Sequence, residues 1–191
     1  MFALRRLVLG FALLLTAAAI HAQDIPDFIR HYSETIRTAA PALLEDEPVV
    51  AAASLADIYA QRGFAPAWDD AIRYRALVEV LQDAASHGLD PADYHAGVLA
   101  RLTTADDARR GAVRDLLATD ALMHFAAHLR VGKVDPVQLD PNWNLDRGRG
   151  DSLSATVLDR ALAASSLIDF VNRELAPHDP SYDGLRAALG L

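Results

Sequence analysis

The chain has 191 residues, no cysteine, and 18 basic against 26 acidic residues, which gives a formal net charge of −8. The lack of cysteine excludes disulfides, thiolate nucleophiles and cysteine-ligated metals. The acidic excess disfavours a nucleic-acid partner, because phosphate backbones repel it. The length suits one domain with an added helical arm.

The N-terminus has the layout of an export signal. Arg5 and Arg6 precede an apolar run from Leu7 to Leu15, and small residues continue to Ala22. This order predicts a signal peptide, taken as residues 1–22, that is cleaved after Ala22 or, alternatively, after Ala19. An uncleaved anchor is the alternative, but polar residues from 21 onward end the run before the roughly 20 apolar residues of a membrane span. Because residues 1–22 hold two arginines and no acid, the mature chain keeps 16 basic and 26 acidic residues, a formal charge of −10.

Apolar periodicity predicts helices along the rest of the chain. Alanine and leucine dominate, which favours helix, and no alternating pattern indicates strands. We predict an all-α, irregular multi-helix bundle with one long buried helix and a Pro/Gly-containing loop, Gly132–Gly150, after it. The predicted helices are Ile25–Thr38, Val49–Gln61, a segment from the Asp69/Asp70 caps to His87, a segment from the Asp90 cap to Arg101, Thr104 to Gly132, Leu153–Ala164, Leu167–Glu174 and Ser181–Leu189.

Histidines are the first candidates for chemistry. His124 and His128 are four residues apart, so they share a helix face and could form half of a metal site. A zincin-type helix needs a glutamate after the first histidine and a third ligand, whereas Phe125 follows here. We therefore interpret the pair as surface or core-edge histidines and predict no metal site. His87 and His95 could lie close together across the Gly88 turn, although an ordinary polar turn is the simpler interpretation.

Paired carboxylates are the second candidates. Adjacent acids near helix starts are explained best as caps that complement the helix dipole. A glycosidase would need an acid of raised pKa facing a partner across a cleft, and Glu79, the glutamate predicted mid-helix, is expected to face solvent. No serine elbow, S-x-x-K motif or phosphate-binding glycine loop occurs. The pairs are Glu45/Glu47, Asp69/Asp70 and Asp106/Asp107.

Aromatic residues occur at the ends of helices and in connectors. They could line a carbohydrate or peptide groove, or they could fix the connectors onto the helices. The second interpretation is favoured, because large rings bury much area per residue. These residues are Tyr59, Phe64, Trp68, Tyr94 and Trp143.

Five segments, in the right order, carry a family resemblance that spans roughly residues 50–189. Residues 58–68, I-Y-A-Q-R-G-F-A-P-A-W, match the pattern Y-x-x-R-x-(F/Y)-x-P-x-W, and residues 85–94 read A-S-H-G-L-D-P-A-D-Y. The segment 117–136, the pair Asn142-Trp143 and the segment 174–189 continue the match. The chain resembles the scaffold domain of periplasmic murein L,D-transpeptidases.

The resemblance implies a non-catalytic scaffold domain linked to peptidoglycan cross-linking and cell wall biogenesis in the periplasm. In that family the scaffold precedes a peptidoglycan-binding module and a catalytic domain with a nucleophilic cysteine. Because this sequence has no cysteine, no catalytic residue is carried over, no cofactor is expected, and a truncated or split form is the expectation. Expected partners are peptidoglycan or a separately encoded transpeptidase catalytic domain. A stand-alone peptidoglycan- or protein-binding module and a helical murein hydrolase remain alternatives.

The residues that match the family's signatures are expected to be structural. The expected domains are the signal peptide 1–22, an N-terminal helical arm 23–48 and the scaffold domain 49–191. Among the signature residues, Arg62 is expected to bridge carbonyls or an acid through its planar set of donors. The expected sites are a packed corner of Tyr59, Arg62, Pro66 and Trp68, a fixed turn of Gly88, Leu89, Pro91 and Tyr94, and an ordered loop of Gly132, Pro136 and Trp143.

Overall fold

The computed structural model describes residues 25–104, 107–134 and 155–190. Within these ranges the chain forms eight α-helices, two 3₁₀ turns, one π turn and a minimal antiparallel hairpin, which confirms the all-α prediction. The hairpin strands have two residues each, too few to give an alternating pattern in the sequence. The elements are α1 (25–38), β1 (Leu43–Leu44), β2 (Glu47–Pro48), α2 (Ala52–Gln61), α3 (Ala71–Gln82), α4 (Ala96–Arg101), α5 (Ala108–Val131), α6 (Ala155–Ala163), α7 (Leu167–Phe170) and α8 (Pro180–Leu189).

Helix α5 is the centre of the core. Its buried residues occur on every side of the helix, and it packs against α2, α3, α4 and α6. Burial on all sides explains the width of its apolar stripe and confirms the predicted long buried helix. Helix α1 adds Ile29 and Ile36, which are 0% and 1% exposed, to the same core.

Two predicted helix starts were wrong, and in each case a side chain sets the boundary. Helix α5 begins at Ala108 rather than Thr104, because the extended Asp107 accepts a hydrogen bond from the Arg110 N–H at 2.8 Å. Helix α2 begins at Ala52 rather than Val49, and the preceding N–H groups of Val50 and Ala51 donate to the distant Asp120.

Three other predicted helices are interrupted. The segment from Asp90 to Arg101 is a 3₁₀ turn (Pro91–Tyr94) followed by α4, because His95 between them has a left-handed φ of 54°. The segment predicted from 167 to 174 is the short α7 followed by a π turn, Val171–Leu175. The helix predicted to reach His87 ends at Gln82 and continues as a second 3₁₀ turn, Asp83–His87.

The predicted caps are largely confirmed. Asp70 accepts from the Ile72 and Arg73 N–H groups, and Asp90 accepts from the Ala92 N–H. Of the predicted Pro/Gly loop, Pro136 and Trp143 lie outside the described residues. In the described ranges, no helix is both long and apolar enough to cross a bilayer.

Candidate functional site

Three polar side chains lie in the middle of the buried helix α5. Asp115, Thr119 and Asp120, here called the α5 node, are 1%, 0% and 0% exposed. Buried polar groups are costly unless they are hydrogen-bonded, so each must have partners in the fold. The partners come from helix α2 and from three connectors: the segment before α2, the segment between α2 and α3, and the turn before α4.

Asp115 holds the connector between α2 and α3. Its carboxylate accepts the backbone N–H of Ala67 at 2.9 Å, the backbone N–H of Trp68 at 2.8 Å and the hydroxyl of Tyr59. Burial raises the pKa of Asp115, and these hydrogen bonds oppose the rise. A single side chain therefore fixes the path of a segment 47 residues away.

Thr119, one helical turn later, meets the two aromatic rings of the predicted corner. Its hydroxyl oxygen lies 2.7 Å from the Tyr59 hydroxyl and accepts the Trp68 indole N–H at 2.9 Å. Tyr59 and Trp68 are both 0% exposed, and burial is the main reason that the pKa of Tyr59 is raised. These rings belong to the core, as the favoured interpretation predicted, and do not line a groove.

Arg62 lies at the edge of the same corner. Its guanidinium pairs with Asp159 on α6 at 3.3 Å and donates to the Pro66 carbonyl at 3.5 Å. It therefore contacts both an acid and a carbonyl. Pro66 itself is half-buried in the connector. The arrangement ties the connector to α6 as well as to α5.

Asp120 joins the hairpin, the start of α2 and the turn before α4. It accepts the backbone N–H groups of Ala51 at 2.8 Å and Val50 at 3.3 Å, and its other contact is Nε2 of His95 at 3.2 Å. Nδ1 of His95 lies 3.2 Å from the Glu47 carboxylate. Burial, the largest single influence, lowers the pKa of His95, but the hydrogen bonds and charges of Asp120 and Glu47 together raise it above its ordinary value.

Asp115, Thr119 and Asp120 are not among the residues predicted from the sequence to form a site. The available signal was two carboxylates within the widest apolar stripe of the chain, since buried acids without partners are rare. The sequence allowed His87 and His95 to lie close together across the Gly88 turn, but the two histidines contact different groups. His87 meets the Tyr182 hydroxyl, whereas His95 meets Glu47 and Asp120.

The predicted turn lies beside this site. Gly88 has a φ of 74°, a left-handed conformation that glycine adopts without strain, and it donates to the Ala85 carbonyl at 3.0 Å. Leu89 is half-buried against the core, and Pro91 occupies the first position of the 3₁₀ turn that ends at the fully buried Tyr94. Gly132, with a φ of 92°, ends α5.

The two histidines of α5 pack together beside Tyr94. The ring centroids of His124 and His128 are 4.2 Å apart, and the Tyr94 hydroxyl lies 2.7 Å from Nδ1 of His128. Burial, followed by the charges of His124 and Lys133, lowers the pKa of His128 to about 4. Within the described ranges, no group of three or more histidines and carboxylates is placed to hold a metal ion.

The arrangement of the α5 node is structural rather than reactive. Asp115 and Asp120 accept hydrogen bonds from backbone N–H groups, and neither lies in an open cleft. Groups that are saturated in this way hold connectors in place and give a substrate no access. The site therefore fits a rigid platform.

One of three comparisons with known proteins found a match. The family model described as the Scaffold domain matches residues 53–189, more than two thirds of the chain. The match begins at the second residue of α2 and ends at the last residue of α8. It includes the α5 node, the connector between α2 and α3 and the turn at His95, whereas Val50 and Ala51, which donate to Asp120, precede it. Searches of the curated proteins and of the solved structures found no match.

Proposed function

Because the chain belongs to the Scaffold domain family, we propose that this non-catalytic scaffold serves a murein L,D-transpeptidase in the periplasm. In this role it supports peptidoglycan cross-linking and holds a catalytic domain in position. The catalytic domain is supplied by another polypeptide or by a longer form of this one.

One observation carries the proposal. The two aromatic residues of the family's first signature hold the connector against α5. Tyr59 and Trp68 are fully buried, and their side chains form hydrogen bonds with Asp115 and Thr119. Signature residues that are buried in this way maintain the fold and are not available to contact a substrate. In addition, the chain has no cysteine, the nucleophile that this class of transpeptidase uses. Both features support a platform.

Reconstitution tests the proposal. The protein lacking residues 1–22 is mixed with sacculi, alone and with the catalytic domain of an L,D-transpeptidase, and muropeptides are analysed after digestion. We expect no new cross-links from the protein alone and more cross-links from the mixture than from the catalytic domain alone. The destabilised variant Trp68→Ala is the control and should give less stimulation.

The alternatives give different results in the same assay. A stand-alone binding module would be retained on sacculi without stimulating cross-linking. A hydrolase would release muropeptides, and Glu79→Gln would abolish the release. Glu79 is exposed on α3, as predicted. Sequencing the DNA downstream of the codon for Leu191 would show whether a reading frame with a histidine-glycine and a serine-x-glycine-cysteine motif follows.

A further inference from the structure

A groove runs along the seam between α3 and the α7–π segment, away from the α5 node. Two cavities, of about 240 Å³ and 200 Å³, lie along it, and Ile168 lines both. Ile168 is 48% exposed, and Ile72, at the other end of the groove, is 76% exposed. Burial of an isoleucine side chain is favourable, so a partner that covered these two exposed side chains beside concave surface would gain from the contact.

The larger cavity has an apolar floor and acidic walls. Val80, Ile168 and Val171 supply the floor, and the carboxylates of Glu79 and Asp83 stand at its side. These two acids are four residues apart, so they share one face, and like charges at this spacing repel each other. A bound cation would relieve that repulsion.

The described part of the chain offers these carboxylates no basic partner within salt-bridge distance. Asp83 accepts the Ser86 hydroxyl, and the guanidinium of Arg186, which approaches from α8, donates to Ser86 and to Asn172. The other polar side chains that line the cavity already have hydrogen-bond partners. Asn172 accepts from Arg186, and His87 contacts the Tyr182 hydroxyl.

We propose that this groove binds a polypeptide segment that places a lysine or arginine between Glu79 and Asp83 and apolar side chains on Ile168 and Ile72. A basic side chain fits both surfaces, because its aliphatic stem packs on the floor while its charged end pairs with the carboxylates. From residue 72 to residue 83 the groove follows about 16 Å of helix, the length of roughly three turns of a partner helix. The inference is independent of the proposed function.

A peptide titration tests the charge recognition. The probe is a fluorescein-labelled amphipathic peptide of about 12 residues built from leucine and lysine, and binding to the protein lacking residues 1–22 is followed by fluorescence anisotropy. Two further peptides carry glutamine or glutamate at every lysine position. We expect saturable binding of the lysine peptide alone. Tighter or equal binding of the glutamine peptide would overturn the proposal.

Variants of equal charge locate the site. Glu79→Gln combined with Asp83→Asn should weaken binding of the lysine peptide about tenfold or more, a loss of about 1.4 kcal/mol. Asp27→Asn combined with Glu34→Gln removes two exposed acids from α1 and is the matched control, expected to change binding less than about twofold. Equal weakening by the two double variants would mean non-specific charge attraction and would refute the groove.

Zero-length cross-linking gives a second measurement on the unaltered protein. A carbodiimide activates a carboxylate, and the peptide's lysine amine then forms an amide with it, so tryptic peptides reveal the acid that was in contact. Cross-links concentrated on Glu79 or Asp83 support the proposal. Cross-links spread over the acids of the surface overturn it. Neither experiment uses sacculi or a transpeptidase domain, so failure here leaves the proposed function untouched.

Discussion

The indole N–H of Trp68 donates to the hydroxyl of Thr119 across 2.9 Å, although 51 residues separate them. This bond fixes the last residue of the family's first signature to the middle of the longest helix. Its neighbour Asp115 takes the backbone N–H of the same tryptophan. The corner is therefore held by a side-chain and a main-chain contact at once, and it provides the first two predictions.

Replacing Trp68 should destabilise the whole domain. Trp68→Ala removes a fully buried ring and should lower the free energy of unfolding by about 3–5 kcal/mol. Trp68→Phe keeps most of the apolar volume but loses the donor to Thr119 and should cost about 1–2 kcal/mol. Thermal and urea denaturation measure both values. Leu185→Ala, at a side chain that is 66% exposed, is the control, and an equal loss there would refute a core role for the corner.

Asp115 should matter more as a hydrogen-bond acceptor than as a charge. Asp115→Ala leaves the N–H groups of Ala67 and Trp68 buried without partners, at about 1–3 kcal/mol each. Asp115→Asn keeps one acceptor oxygen and should lose clearly less stability. Urea denaturation compares the two variants. If alanine and asparagine were equally costly, the backbone contacts would not carry the effect.

Two histidines should make the domain sensitive to acid. Burial, the main cause, lowers the pKa values of His87 and His128 from 6.5 to about 4. The unfolded chain then binds more protons than the folded one between these values, so their contribution to stability is complete above pH 6.5 and is lost as the pH falls towards 4. In His128→Gln the urea midpoint should fall less steeply over this window. An unchanged slope would contradict the prediction.

His95 should act in the opposite direction. Its pKa is raised by Asp120 and Glu47 despite burial, so it stabilises the fold fully below pH 6.5 and loses that contribution as the pH rises through its folded value. His95→Asn preserves a residue that tolerates the left-handed backbone and should cost about 3 kcal/mol at low pH, since it breaks a buried pair.

The measurement for His95 is the difference in unfolding free energy between the parent and His95→Asn at pH 6 and at pH 9. The difference should be larger at pH 6, where the imidazole of the parent is charged. A difference that grew towards pH 9 would show that the contact with Asp120 does not stabilise the charged form. Both proteins should keep the same helical circular dichroism at pH 7.

Helix α8 should loosen without unfolding the domain. None of its residues is buried, and polar contacts hold it: Arg186 donates to Ser86 and Asn172, and Tyr182 meets His87. Arg186→Ala should speed amide exchange across 180–189 while changing global stability by less than about 1 kcal/mol. Exchange mass spectrometry separates the two effects, and equal acceleration in α5 would refute local loosening.

The sequence by itself determined the helical class, the approximate positions of the helices and most of the caps. These features depend on contacts within four residues: the apolar spacing of α5 and the cap at Asp70 are readable locally. The absence of cysteine, which excludes disulfides and a thiolate nucleophile, is likewise read directly from the sequence. Helix ends were less predictable, because Val50 and Ala51 donate to an acid about 70 residues away instead of extending α2.

Only the tertiary structure decided what the buried acids do. Asp115 and Asp120 interrupt an apolar stripe, but the neighbouring sequence does not indicate which groups they bind, because their partners lie 25 to 70 residues away. His95 likewise acquires its left-handed backbone beside Glu47 and Asp120, and it splits a segment whose local pattern predicts one continuous helix. Hydrogen bonds of this kind form only after the helices pack, because packing brings distant donors and acceptors together out of water.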